Sequence, residues 1–174
     1  MARAGASGTA DAAALRVGFL LARHFTLTAF AVFVDALRLA SDEGDRSRQI
    51  KCRWTVMSSR RAPVAASCGV EVTPTSGLID PKQFDYLVVV GGLLHGGEQV
   101  DEATLAYIRK AAEAGVTLVG VCTGSFVLAR AGALAGRKAC VSWFHRRDFL
   151  EAFADVTPVC DQLYLIEADR ITCS

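Results

Sequence analysis

No stretch of this sequence is apolar for long enough to cross a bilayer. Uninterrupted apolar runs such as Val17 to Ala22 fall far short of the ~20 residues a spanning helix needs. An excess of charge of either sign is missing too. Nineteen Lys and Arg stand against 18 Asp and Glu, a formal net charge of +1, so there is no basic stripe of the kind that marks a nucleic-acid binder. None of the six cysteines (Cys52, Cys68, Cys122, Cys140, Cys160 and Cys173) stands in a C-x-x-C, and no Cys/His grouping has zinc-finger spacing. A structural metal site is therefore unsupported. Ahead of Leu15 there is no apolar segment of secretory type, so reduced thiols in a cytoplasmic protein are the expectation, most of them buried and structural. With no Walker A sequence and no G-x-G-x-x-G after a strand, phosphate and dinucleotide cofactors lack support, and no cofactor is expected.

What is present reads as one globular domain. The chain has 174 residues, 52% hydrophobic and 21% charged, and a domain of that length buries about 70% of the surface its unfolded chain exposes. Residues 1–14 are rich in Ala and Gly without apolar periodicity and read as a disordered leader, leaving 15–174 as the domain. Leu15 to Leu21 is a short apolar block of strand type. From Thr26 to about Ser41, Leu27, Phe30, Val34 and Leu37 recur at helical spacing, with Asp35 and Arg38 placed as an exposed i,i+3 pair. Ile50 to Met57 reads as a second strand. Residues 60–82, which hold three of the four prolines, read as loop with a short strand at Val70 to Thr73. Asp85 to Val90 is the strongest strand, a continuous apolar run of the sort parallel sheets bury on both faces. It ends in Gly91-Gly92, followed by a loop carrying His95. Asp101 caps a helix to Ala114, with Gly115 placed to end it. Val116 to Val121 is another buried strand, and Thr123 to Ala131 another helix. Strands alternating with helices predict a parallel α/β sheet covered on both faces.

The most informative segment is Gly120-Val121-Cys122-Thr123-Gly124, set between that strand and that helix. It has the small-x-nucleophile-x-small pattern of a nucleophile elbow, with Cys for Ser. A strand turning directly into a helix strains the central residue and requires small neighbours two positions away. The helix N-terminus then points at the thiol, an arrangement that favours thiolate over a thiol whose ordinary pKa is about 8.5. Gly91-Gly92 ends the preceding strand, so its N–H groups and that of Thr123 are candidates for an oxyanion hole; a tight turn requiring φ > 0 is the plainer account. His24, His95 and His145 follow strand ends or begin a helix and are candidate ligand contacts. A lone loop histidine is more often that, or a plain surface residue, than a general base. Trp143-Phe144 reads as core or dimer contact rather than a cofactor platform.

These residues carry a resemblance. Val88 to Gly92, followed by Leu118-Val-Gly-Val-Cys122-Thr-Gly-Ser-Phe-Val-Leu-Ala-Arg-Ala-Gly132, resembles the ThiJ/PfpI branch of the class I glutamine amidotransferase-like superfamily. More narrowly, it is similar to the amidase-like N-terminal domain of AraC-family transcriptional regulators. Phe25 to Phe30, Asp35 to Arg38, and Asp161 to Thr172 fit the same group. The resemblance implies a flavodoxin-like three-layer sandwich with a mainly parallel sheet, a homodimer, and a small-molecule effector, an amino acid or amine, bound at the Cys122 crevice by His24, Gly91, Gly92, His95, Cys122, Thr123 and His145. It also implies a C-terminal helix-turn-helix domain absent from this chain, through which alone DNA would be bound. The sequence departs from the catalytic pattern of the superfamily. Thr123 follows the Cys, Ser142 stands where many relatives carry a His, and Phe25 to Ala29 offers no carboxylate. A sensor that keeps the thiol without its triad is the reading this favours; a cysteine-dependent amidase or hydrolase with an improvised histidine base is the alternative.

Overall fold

The computed structural model describes residues 14–42 and 44–174; positions 1–13, which make up nearly all of the expected leader, lie outside the described residues. In chain order the first half comprises β1 (Leu15–Leu21), α1 (Leu27–Ser41), β2 (Cys52–Met57), β3 (Val64–Ala65), β4 (Glu71–Val72) and β5 (Tyr86–Val90). The second half comprises α2 (Glu102–Glu113), β6 (Thr117–Val121), α3 (Gly124–Arg130), β7 (Lys138–Cys140), α4 (Arg146–Ala152), β8 (Thr157–Val159), β9 (Tyr164–Glu167) and β10 (Arg170–Cys173).

The apolar runs serve two cores at once, because successive side chains of a strand point to opposite faces. Val17, Phe19 and Leu21 of β1, Val88 and Val90 of β5, and Val119 of β6 pack on one side, under α1. Leu20, Leu87, Val89 and Leu118 pack on the other, under α2, α3 and α4. On the α1 side Phe19 meets Phe30 and Phe33 edge to face, with ring centroids 5.5 and 5.4 Å apart. On the opposite side Phe126 and Phe149 meet in the same way at 4.9 Å. The result is the three-layer α/β sandwich the sequence predicts. Asp35 and Arg38 form the expected exposed pair, 3.4 Å apart. No helix among the described residues is long and apolar enough to cross a membrane.

The main sheet has six strands in the order β2-β1-β5-β6-β10-β9. All neighbouring pairs are parallel except β9, which runs antiparallel to β10. The chain moves outward from β1 to β2, then crosses back over β1 to lay down β5 and β6, so the order reverses between β1 and β5. In such sheets ligand sites open beyond the carboxyl ends of the strands. Three features differ from the sequence reading. The second strand starts at Cys52, because Ile50 stays 39% exposed outside the sheet. The loop of 60–82 contains an antiparallel pair, β3 with β4, rather than one strand. Beyond α3, β7 and β8 form a small second parallel sheet before the β9–β10 hairpin returns to the main one.

The start of α2 is built as its sequence suggests. Asp101 Oδ1 accepts from the Thr104 N–H at 3.0 Å and the Thr104 hydroxyl at 2.7 Å, while Oδ2 accepts from the Ser59 hydroxyl at 2.6 Å. Burial works against the charged carboxylate, but these bonds and nearby Arg60 outweigh it and hold its pKa below the ordinary value. A depressed carboxyl stabilises the fold above its unfolded pKa and loses that contribution as pH falls through the folded value. Asp101→Ala is expected to cost about 0.5–2 kcal/mol near pH 7. The gap from the parent should narrow in acid, as urea unfolding at several pH values would show; a gap independent of pH would contradict this account.

Candidate functional site

Cys122 joins β6 to α3 with no intervening loop, and that connection forces it to φ +56. Left-handed backbone costs a non-glycine residue on the order of 1–3 kcal/mol and persists only where the surroundings over-determine it. The glycines on either side do so. A Cβ on Gly120 would sit 2.9 Å from the Ser125 nitrogen, and one on Gly124 would sit 2.2 Å from the Val89 carbonyl oxygen. This is the elbow the sequence predicts, with the thiol lifted beyond the carboxyl edge of the sheet.

Gly91 and Gly92 serve a purpose other than the turn expected of them. Neither has positive φ; both are required by close approach. A Cβ on Gly91 would lie 2.1 Å from the Gly124 nitrogen, and one on Gly92 would lie 1.8 Å from the His24 carbonyl oxygen. The two residues thus press the exit of β5 against the elbow on one side and against the exit of β1 on the other. The Gly91 N–H donates to the Val121 carbonyl at 3.0 Å. Of the expected oxyanion donors, this leaves the N–H groups of Gly92 and Thr123, neither of which bonds a backbone carbonyl among the described residues.

The thiol meets a hydroxyl. Cys122 Sγ and Thr26 Oγ1 lie 3.4 Å apart, and Thr26 stands at the N-cap of α1 without using its side chain to cap it. Among the described residues no imidazole or carboxylate hydrogen-bonds to this sulfur. Cys122 opens on a crevice of about 180 Å³ shared with Thr123, Ser125, Phe126, Ser142 and His145. His145 lines this crevice. Its Nδ1 lies 3.4 Å from Asp148 Oδ2, and its ring meets Phe126 edge to face at 6.1 Å. His24 lines a separate, larger cleft, and His95 is exposed on the loop beyond Gly92. Behind the crevice, burial pushes the Cys173 thiol up to about 11, helped by Cys140 and Cys122. Burial raises Cys140 as well.

Three polar residues of this region gave no signal in the sequence. Thr26 could be found only by knowing that β1 and β6 end on the same edge. Gln99 is buried, and its Nε2 donates to Thr123 Oγ1 at 3.1 Å, whose hydroxyl in turn donates to the Gly92 carbonyl at 2.7 Å. Ser125 Oγ is buried in the crevice wall without a hydrogen-bond partner, a state that costs about 1–3 kcal/mol when nothing fills it. Among the described residues no group of three or more His, Cys, Asp or Glu could hold a metal ion.

The pattern of the DJ-1/PfpI family matches residues 15–172. The HTH-type transcriptional regulator CdhR of Pseudomonas aeruginosa is 37% identical over 154 residues, which cover 88% of this chain and 44% of that protein. The isonitrile hydratase of Pseudomonas putida is 32% identical over 150 residues, covering 86% of this chain and 61% of that protein. Among solved structures, an AraC family transcriptional regulator from Pseudomonas putida superposes with a TM-score of 0.72 at 25% identity, covering 91% of this chain and 83% of that one. The chain thus spans less than half the length of the curated regulator it matches.

Proposed function

Because the chain belongs to the DJ-1/PfpI family, we propose that it is the effector-sensing domain of an AraC-type transcriptional regulator, taking a small molecule at the Cys122 crevice. The observation that carries this reading is the partner of the thiol. The elbow is intact, yet its sulfur faces the Thr26 hydroxyl, which is no general base at neutral pH, and a missing general base typically costs about 10²–10⁴-fold in rate. A site so built holds a ligand better than it turns one over. The crevice volume of about 180 Å³ lies below the ~300–1,000 Å³ of drug-sized sites and suits a compact effector such as an amino acid or amine. In this reading the protein is cytoplasmic, pairs as a homodimer, and reaches DNA through a helix-turn-helix domain outside this chain. Trp143 and Phe144, 77% and 69% exposed and so excluded from the core, are the proposed dimer contact.

A cysteine-dependent amidase or hydrolase is the second reading. One observation favours it: His145, with Asp148 on its Nδ1, lines the same crevice as Cys122. Thermal unfolding against a panel of amino acids and amines separates the two. A ligand at a hundred times its Kd should add about 2.7 kcal/mol of stability, and Ser142→Trp, which fills the crevice, should abolish the effect. Rapid hydrolysis of amides or hydration of an isonitrile, lost in Cys122→Ala, would overturn the sensor reading in favour of the enzyme.

A further inference from the structure

We infer that a second ligand site, independent of the Cys122 crevice, lies in the cleft of about 500 Å³ where the strand order reverses, and that it takes a small organic cation rich in N–H donors. Its walls come from the loops leaving the carboxyl ends of three strands: Arg23 and His24 after β1, Ser58 and Ser59 after β2, Glu98 and Gln99 after β5. Loops diverge at such a reversal and leave a crevice between them, which is why open α/β sheets take ligands there. The volume falls within the ~300–1,000 Å³ of small-molecule sites.

The charges on the walls set the chemistry. Asp101 also lines the cleft, but its oxygens are already occupied by Ser59, Thr104 and Arg60. Glu71 and Glu98 line it as well, both exposed and without an ion pair among the described residues. Arg23 is the one wall cation in the same condition, so the unpaired charge of the cleft is negative. Gln99 adds a neutral acceptor whose orientation follows from its neighbours. The Gly92 carbonyl can only accept, so the Thr123 hydroxyl donates to it and keeps only lone pairs for Gln99. The amide must therefore turn its NH₂ toward Thr123, and Oε1, buried behind the wall that Gln99 helps to form, is left with no hydrogen-bond partner. His24, at φ +57 on the same wall, carries the backbone strain that clusters at ligand clamps. Unpaired carboxylates beside an unfilled amide oxygen match an alkylguanidinium or primary alkylammonium, which presents several donors around one positive charge.

Titration of the ¹⁵N-labelled chain with methylguanidinium chloride, against sodium chloride at equal ionic strength, tests this directly. Saturable shifts are expected at the amides of residues 23–24, 58–60 and 98–99. Glu71→Gln combined with Glu98→Gln, both at exposed positions that leave the fold intact, should weaken the apparent affinity about tenfold or more. Gln99→Leu should weaken it further. Shifts that rise linearly without saturating, that centre on residues 122–126 and 141–145, or that persist unchanged in the double variant would overturn the proposal.

Discussion

Gly92→Ala should be among the most damaging single-methyl changes available to this protein, costing more than about 3 kcal/mol of a total stability on the order of 5–15 kcal/mol. The added Cβ would meet the His24 carbonyl oxygen at 1.8 Å, the His24 carbonyl carbon at 2.4 Å and Phe25 Cα at 2.5 Å. All three are backbone atoms, so no change of rotamer relieves them. The exits of β1 and β5 must separate, and with them go the Leu93 N–H to His24 carbonyl bond of 3.1 Å and the Thr26 N–H to Gly91 carbonyl bond of 2.9 Å. Thr26 is also the partner of Cys122, so whatever variant survives should have a displaced thiol environment. Gly96→Ala is the control. Its Cβ would meet only the flexible His24 ring, at 3.1 Å, and it should stay within about 1 kcal/mol of the parent. Urea unfolding of both variants decides the matter, and a Gly92→Ala protein as stable as Gly96→Ala would refute the close-approach account.

Limiting iodoacetamide near neutral pH should divide the six thiols sharply. Cys52 and Cys140 are buried and Cys68 is exposed, while Cys122 opens on its crevice. Burial lifts Cys173 to about 11, which leaves it on the order of a few hundredfold less thiolate near neutral pH than an ordinary cysteine. Cys122 and Cys68 are therefore expected to label first and Cys173 among the last. Raising the pH toward that value should keep accelerating Cys173, about tenfold per unit. A compound bound in the crevice should protect Cys122 and leave Cys68 unaffected, which would tie reactivity to the proposed sensing role. Peptide mapping by mass spectrometry reads all six positions, and equal rates for Cys173 and Cys68 would remove the argument.

The elbow could be read from the sequence because its requirements are local: a strand, a helix and small residues two positions from the thiol all lie between Thr117 and Arg130. Of the main sheet, β1, β5 and β6 were legible for a similar reason, since burial on both faces leaves an apolar run. Relations between distant loops were not. Gly91 and Gly92 looked like a turn, because nothing in their neighbourhood discloses that the Gly124 nitrogen and the His24 carbonyl stand against them. His24 looked like a neighbour of Cys122 because both follow strands on one edge. The left-handed backbone at His24 and the reversal of strand order assign it to the other cleft. His145 lines the crevice with Cys122, and its pairing with Asp148 was not legible because it depends on the 3₁₀ turn Trp143–His145 that precedes α4.

The register of β6 against β10 has a consequence for biosynthesis. Leu118 pairs with Arg170, and Val121 with Cys173, so the strand that launches the elbow acquires its second neighbour only after the small sheet and the closing hairpin have been made. A ribosome adding about 5–20 residues per second needs roughly 3–10 s to travel from Val121 to Cys173. Through that interval a nascent chain would hold β6 as a bare edge, with the N–H and carbonyl groups of Leu118 to Val121 open to pairing with a neighbouring polypeptide. Crowded polysomes and strong overexpression would exploit that window, which makes a lower expression level the sensible route to material in which the thiol is correctly seated.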